Sequence, residues 1–399
     1  MNIIQRIYCR SFQKVFRIAM PILPYRTPVV LTNVNECIPL LNKINVKKVL
    51  LVTDSFLRKS GITESLEKSL NLSNIKCIVF DGTNSNPTIK NVEAAKKLYL
   101  ENNCQALIAF GGGSSMDCAK ATGACIAYPK KSLEQMKGLL RVLKSLPPLI
   151  AIPTTAGTGS EVTVTAVITD DVKKHKYTMN NFTMIPHYAV LDPQVTYTLP
   201  PSLTATTGMD ALTHAIEAYI GGSTTKETRK LSIEAIKLIF ENIIKAYEDG
   251  YNQVARAAML KAAYKAGIAF SKSYVGYIHS VAHSLGGQYN IPHGLANAVL
   301  LPIVLEKYGK SVYKKLYKIS VSLNICEKND SYEIGAKKLI ENIRNLNRLM
   351  NIPEKIEGIK SEDICKMAKY AAKEANPLYP VPKLMNAKEL EQLYYAVMK

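Results

Sequence analysis

Five residues in the C-terminal half of the chain have the types and spacing of a metal-ligand set. Asp210 and His214 stand four apart, as do His279 and His283, and His293 follows between Pro292 and Gly294. Four residues of α-helix turn through about 400°, so each pair shares one face, its members roughly 6 Å apart along the axis. A lone histidine is most often a hydrogen-bonded core residue. Here only six histidines occur in the chain and four of them fall in this half, set among small apolar residues. Burying an aspartate and four histidines without partners costs several kcal/mol. A divalent cation offsets that, since imidazole and carboxylate both suit first-row metals. One aspartate and three histidines leave net positive charge on such an ion and a position open. There the ion is a Lewis acid toward an alcohol or aldehyde oxygen. Spacing alone does not choose four ligands from the five.

A second group of residues has the make-up of an anion site. The apolar run 106–110 reads as a strand and leads into Gly111, Gly112, Gly113, Ser114 and Ser115, then a helical pattern. Strand, glycine turn and helix N-terminus present backbone N–H groups and a favourable dipole to a pyrophosphate. The common dinucleotide fingerprint is not matched, because Met116 stands at the third glycine position. That fingerprint also expects a ribose-binding acid about 20 residues downstream, whereas the candidate here, Asp54, lies upstream at the end of an earlier strand. A second loop, Pro-Thr-Thr-Ala-Gly-Thr-Gly-Ser at 153–160, also follows a strand, and its hydroxyls and amides suit phosphate or ribose. With a nicotinamide near the metal, the chemistry is hydride transfer.

The elements that must carry these groups follow from periodicity. Residues 47–54, 75–80, 106–110 and 149–152 read as buried strands, with helical patterns at 88–102 and 115–128. Such alternation predicts a mostly parallel sheet covered by helices. Residues 162–169 nearly alternate, as in a hairpin strand with one wet face. Beyond about Thr196 the strand signals stop, and amphipathic helical stretches follow at 226–248, 253–273, 332–350 and 361–374. The domains expected are a basic amphipathic extension at 1–26, an α/β dinucleotide-binding domain at 27–195 and an all-α metal-binding domain at 196–399.

Composition bounds the class. At 399 residues, 47% hydrophobic and 21% charged, the chain is globular rather than disordered, and too long for one ordinary core. No apolar run approaches the ~20 residues of a membrane span, so no stable membrane insertion is expected. The net charge of +19 is spread thinly, with short runs such as Lys173-Lys174-His175-Lys176, and lacks the footprint of a nucleic-acid binder. None of the eight cysteines forms a Cys-x-x-Cys pair, as in a reducing cytoplasm. The first acidic residue is Glu36, after Arg6, Arg10, Lys14, Arg17 and Arg26. This stretch is read as a helix packed on the body, ahead of a transit peptide or a membrane-surface helix.

Four motifs together give the chain a resemblance to a known family. They are Gly-Gly-Gly-Ser-Ser-Met-Asp at 111–117, the loop at 153–161, Gly-Met-Asp-Ala-x-x-His-Ala-x-Glu at 208–217, and the run at 279–294. In these the chain resembles the iron-containing (group III) alcohol dehydrogenases from about Lys48 to the C-terminus. The resemblance implies a dehydroquinate synthase-like fold and an NAD(H)-dependent oxidoreductase of short primary alcohols or aldehydes, assembled as a homodimer or higher. It implies Asp210, His214, His279 and His293 as ligands of Fe²⁺, with Zn²⁺ as the alternative ion, and His283 beside nicotinamide and substrate as a proton relay. It further implies cofactor contacts at Asn86, Gly112, Gly113, Ser114, Asp117, Thr154, Thr155, Thr158 and Lys176, and a pocket-lining Phe270. An acid at Asp54 goes with NAD use. The competing expectations are a zinc-dependent, glycerol-type polyol dehydrogenase and, outside enzymes, a basic surface-binding protein with a structural metal.

Overall fold

Strand residues of the N-terminal half alternate between two apolar cores, which fixes a sheet covered on both faces. The computed structural model describes residues 1–171 and 175–399; Lys173 and Lys174 of the basic run lie outside the described residues. Nine strands are seen among them: β1 Val29–Leu31, β2 Lys48–Val52, β3 Lys76–Phe80, β4 Ala106–Gly111, β5 Gly138–Leu139, β6 Leu149–Pro153, β7 Thr165–Asp170, β8 His175–Asn180 and β9 Tyr188–Val190. Six of them form one sheet in the order β1-β9-β6-β4-β2-β3, all neighbours parallel. Leu50, Val52, Leu107, Ala109, Leu149 and Ala151 enter one core. Val49, Leu51, Ala106, Ile108, Phe110, Ile150 and Ile152 enter the other. The period-2 pleat sends successive side chains to opposite faces, so a strand covered on both sides is apolar throughout. The short strands β1 and β9 escape the pattern reading. β7 pairs antiparallel with β8, and β5 joins β8 to complete a small second sheet.

The order places three loops side by side. β4 pairs with β2 on one side and β6 on the other, and Gly111 is in register with Pro153. Asp54 after β2, the glycines after β4 and the threonine loop after β6 therefore share the carboxyl edge of adjacent parallel strands. That edge is where open α/β sheets bind ligands.

The chain divides into two units: residues 24–199, which hold both sheets, and residues 1–23 together with 200–399. The second unit is helical. Its site-bearing helices are Pro201–Ile220, Gln253–Ser273, Tyr277–Tyr289, His293–Tyr308 and Ser361–Ala375. Gly221 closes the first of these, and Asn290, in the left-handed region, ends the helix before Pro292, as helix-stop chemistry dictates. The N-terminal helix Ile3–Ala19 packs on this unit: Gln13 Nε2 donates to Tyr379 O at 2.7 Å, and Arg10 donates to Val381 O and Pro382 O.

Candidate functional site

Three helices bring Asp210, His279 and His293 together. Their ligand atoms all lie within 4.8 Å of one another. Asp210 Oδ1 stands 3.8 Å from His279 Nε2 and 3.5 Å from His293 Nε2. The close approach of the helices depends on Gly294, where a Cβ would sit 2.8 Å from the Thr206 carbonyl carbon. His214 lies outside this trio. Its Nδ1 is 3.9 Å from Asp210 Oδ1, and its ring stacks between His279 at 4.4 Å and Phe270 at 4.2 Å. His283 stacks on the ring of His293 at 5.1 Å. Asp210, His214 and His279 are buried, whereas the side chains of His283 and His293 are 31% and 37% exposed. The cluster thus opens toward these two rings.

Glu217, one helical turn beyond His214, fixes the state of His279. Its Oε2 accepts from His279 Nδ1 at 2.6 Å and from Gly276 N at 2.7 Å, and its Oε1 accepts from Ile278 N at 3.0 Å. A Cβ at Gly276 would meet the Glu217 carboxyl carbon at 3.0 Å, so the backbone can approach only as glycine. With the proton on Nδ1, the lone pair of His279 lies on Nε2, facing Asp210 and His293. Burial, and then the neighbouring His214, His293 and His283, hold His279 well below the ordinary histidine pKa, hence neutral. Burial also pushes the Glu217 carboxyl up to about 8, against the pull of the Gly276 and Ile278 amides.

One amide faces this convergence of acceptors. Asn297, one turn beyond His293, directs Nδ2 toward Asp210 Oδ1 at 2.6 Å, His293 Nε2 at 3.1 Å and His279 Nε2 at 3.3 Å, while its own buried Oδ1 lacks a partner among the described residues. Two amide protons do not satisfy three acceptors. A cation among these lone pairs does, and the donor set of carboxylate and imidazoles fits a first-row divalent metal. His283 has a separate partner: its Nδ1 meets Glu374 Oε1 at 2.7 Å, and Tyr379 OH donates to the same oxygen at 2.7 Å.

At the sheet edge, Asp54 caps the helix Ser55–Lys59. Its Oδ1 accepts from Phe56 N at 3.0 Å and Leu57 N at 2.9 Å. Gly112 and Gly113 open the helix Gly113–Ala127. Ser114 Oγ donates to Ser85 O, and Lys176 Nζ donates to Asn86 Oδ1 at 2.8 Å, which joins two of the expected cofactor residues. Thr154 is buried and its N–H donates to Gly111 O, Thr155 Oγ1 lies 3.5 Å from where a Cβ at Gly112 would stand, and Thr158 accepts from Ser160 N. Asp117 differs from the others in that its bonds are internal, to Ser160 Oγ and Val167 N, both at 3.0 Å. Beside it, buried Lys120 donates to Ser160 Oγ, Thr163 Oγ1, Thr163 O and Thr165 O. Burial pushes Asp117 up to about 6 and Lys120 down to about 8, each resisted by the other's charge. The pair braces the threonine loop against the glycine-loop helix.

Sequence reasoning gave no role to Glu217, Asn297 or Glu374. The first two carried a signal, since each lies three or four residues from a proposed ligand on the same helical face. Glu374 carried none, being 91 residues from its partner.

A family model described as iron-containing alcohol dehydrogenase matches residues 30–193, and one described as Fe-containing alcohol dehydrogenase family, C-terminal, matches residues 204–398. Alcohol dehydrogenase 4 of Saccharomyces cerevisiae is 38% identical over 82% of this chain and 85% of its own. The NAD-dependent methanol dehydrogenase of Bacillus methanolicus is 37% identical over 83% of this chain and 87% of its own. The crystal structure of a 1,3-propanediol oxidoreductase superposes with a TM-score of 0.90 at 34% identity, covering 94% of this chain and 99% of that one.

Proposed function

The chain belongs to the iron-containing alcohol dehydrogenase family, and we propose that it interconverts short primary alcohols and aldehydes with NAD(H), using iron held by Asp210, His279, His293 and His214. The enzyme is a metal- and NAD-dependent oxidoreductase acting on alcohols. The observation that carries the metal assignment is the trio of lone-pair atoms within 4.8 Å, with one amide between them. When bound, the metal supplies Lewis acidity toward the substrate oxygen and NAD(H) the hydride couple.

The protein's own groups do the rest. Glu217 holds His279 in the tautomer that presents Nε2. Neutral His279 needs no deprotonation before ligation. Glu374, itself hydrogen-bonded by Tyr379, orients His283 through Nδ1, which supports His283 as the group that holds and passes the alcohol proton. Phe270 packs against His214 and gives the ligand cluster an apolar neighbour, in keeping with a short apolar substrate. At the sheet edge, Gly112, Gly113 and Ser114 bind pyrophosphate through backbone N–H groups. Thr154, Thr155, Thr158, Asn86 and Lys176 line the cofactor, Asp117 shapes the loop, and Asp54 meets the adenosine ribose.

A homodimer or larger assembly in the cytoplasm completes the reading. All eight cysteines are free thiols and six are buried, which supports a reducing compartment. The test is NADH oxidation with a panel of linear aldehydes and NAD⁺ reduction with glycerol-type polyols, each with and without an iron chelator. Chelator-sensitive turnover, fastest with short primary aldehydes, is expected. Turnover that survives complete chelation overturns the metal assignment.

A further inference from the structure

The N-terminal helix is apolar on two faces, and only one of them is covered by the protein. Residues 1–29 precede the family match, so nothing in the active site accounts for this element. Its inner face is fixed in place. Cys9, Gln13 and Met20 are buried, Phe16 meets Tyr274 edge-on at 5.1 Å, and Gln13 and Arg10 bond backbone carbonyls at 377–382. A capping box at Asn2 and Gln5 secures its start. The outer face is therefore a surface of set orientation.

That outer face carries Ile4, Ile7, Val15 and Ile18, with Ile22 in the turn that follows, at 74%, 61%, 67%, 64% and 82% exposure. At 100° per residue the four helical positions fall within an arc of about 80°. Ile3 and Tyr8 widen the patch. Seven of the 24 large hydrophobics exposed among the described residues thus lie in the first 22 positions of 399. Arg6, Lys14 and Arg17 run along one border of the stripe, all exposed, and no acidic residue occurs before Glu36.

We propose that this face docks the enzyme on an anionic lipid surface, with the helix lying in the interface plane. An apolar stripe bordered by cations has the form required: the apolar side chains enter the headgroup–acyl boundary while Lys and Arg meet anionic headgroups. The stripe is 17 helical residues, or about 25 Å, long, too short and too charged to span, and no helix among the described residues is long and apolar enough to cross a membrane. A second copy of the chain fits the face poorly. Two such helices bring basic borders together with no carboxylate to pair them, on chains of net charge +19 each. An anionic surface reverses the sign of both effects.

The experiment uses the full chain and vesicles of phosphatidylcholine alone or with 30% phosphatidylglycerol. Co-sedimentation with the anionic vesicles is expected, weakened by 0.5 M salt and at least tenfold weaker with phosphatidylcholine alone. Ile4→Ser/Ile7→Ser/Ile18→Ser and Arg6→Gln/Lys14→Gln/Arg17→Gln each reduce the partition by about 100-fold, at roughly fivefold per lost cation for the second, while turnover in vesicle-free buffer stays at the wild-type level. The chain has no tryptophan, so Ile7→Trp gives a single reporter, whose emission shifts to the blue with anionic vesicles. Absence of binding, or binding that ignores the isoleucine changes, overturns the proposal and leaves only diffuse basicity. Loss of an oligomer in lipid-free buffer on the isoleucine changes also overturns it and assigns the face to a second copy. Retention by an acidic protein but not by lipid likewise overturns it and assigns the face to a protein partner.

Discussion

Glu217→Gln isolates the role of a residue that contacts no substrate. In the wild type, Oε2 accepts from both His279 Nδ1 and Gly276 N, and Oε1 accepts from Ile278 N. A glutamine has one acceptor oxygen. Placed at Oε2 it keeps two bonds, and its NH₂ then faces the Ile278 N–H, leaving buried donors opposed. That costs about 1–3 kcal/mol, and the close packing of Gly276 on the carboxyl gives little room to relax. The change also removes an acid that, ionised beside a bound cation, makes His279 Nε2 a better donor to that cation. Changes of this kind typically lower metal affinity about 10–100-fold, or about 1.4–2.8 kcal/mol. The two effects separate by assay. Urea unfolding of the metal-free protein reads the first, and competition with a chromophoric chelator reads the second. Both are expected to change. Lowered stability with wild-type metal affinity would refute the claim that Glu217 tunes the metal ligand and leave it a packing residue.

His283→Ala is expected to keep the metal and lower kcat by about 10²–10⁴-fold, and Glu374→Gln to lower it less; loss of metal from His283→Ala would make that residue a ligand instead. Asp54→Gly should raise kcat/KM for NADPH relative to NADH at a cost of only about a few tenths of a kcal/mol of stability, since glycine is itself a fair N-cap; no gain for NADPH leaves only the cap. His187 Nδ1 accepts from Leu149 N, and burial, then Arg26, lowers its pKa from 6.5 to about 4. The folded state then binds fewer protons than the unfolded one between these values. Its share of stability is complete above about pH 6.5 and lost as pH falls through 4. His187→Asn should flatten the fall of the urea midpoint between pH 6.5 and 4, and an unchanged profile would dismiss this titration.

Local pattern made much of the fold legible. Strands such as residues 149–153 announce themselves as apolar runs because both faces are buried, and the four-residue spacing of Asp210 with His214 and of His279 with His283 follows from helix geometry. Strands β1 and β9 have three residues each, too few for a period to show. The docking of the Glu374 carboxylate on His283 depends on tertiary packing over 91 residues, and no local signal carries it. Asp117 shows a third limit. A motif position names a residue, but its side chain turns inward to Ser160 and Val167 rather than toward a ligand, and only coordinates reveal that direction.

Metal content measured beside turnover in wild type and in His279→Ala tests the metal centre most directly. His279 is buried, neutral and aimed by Glu217 at the Asp210–His293 pair. Wild type should carry about one iron per chain and lose turnover in step with chelation. His279→Ala should lose iron and turnover together while staying folded by circular dichroism. Iron at the wild-type level in purified His279→Ala, or turnover without metal, would contradict the assignment.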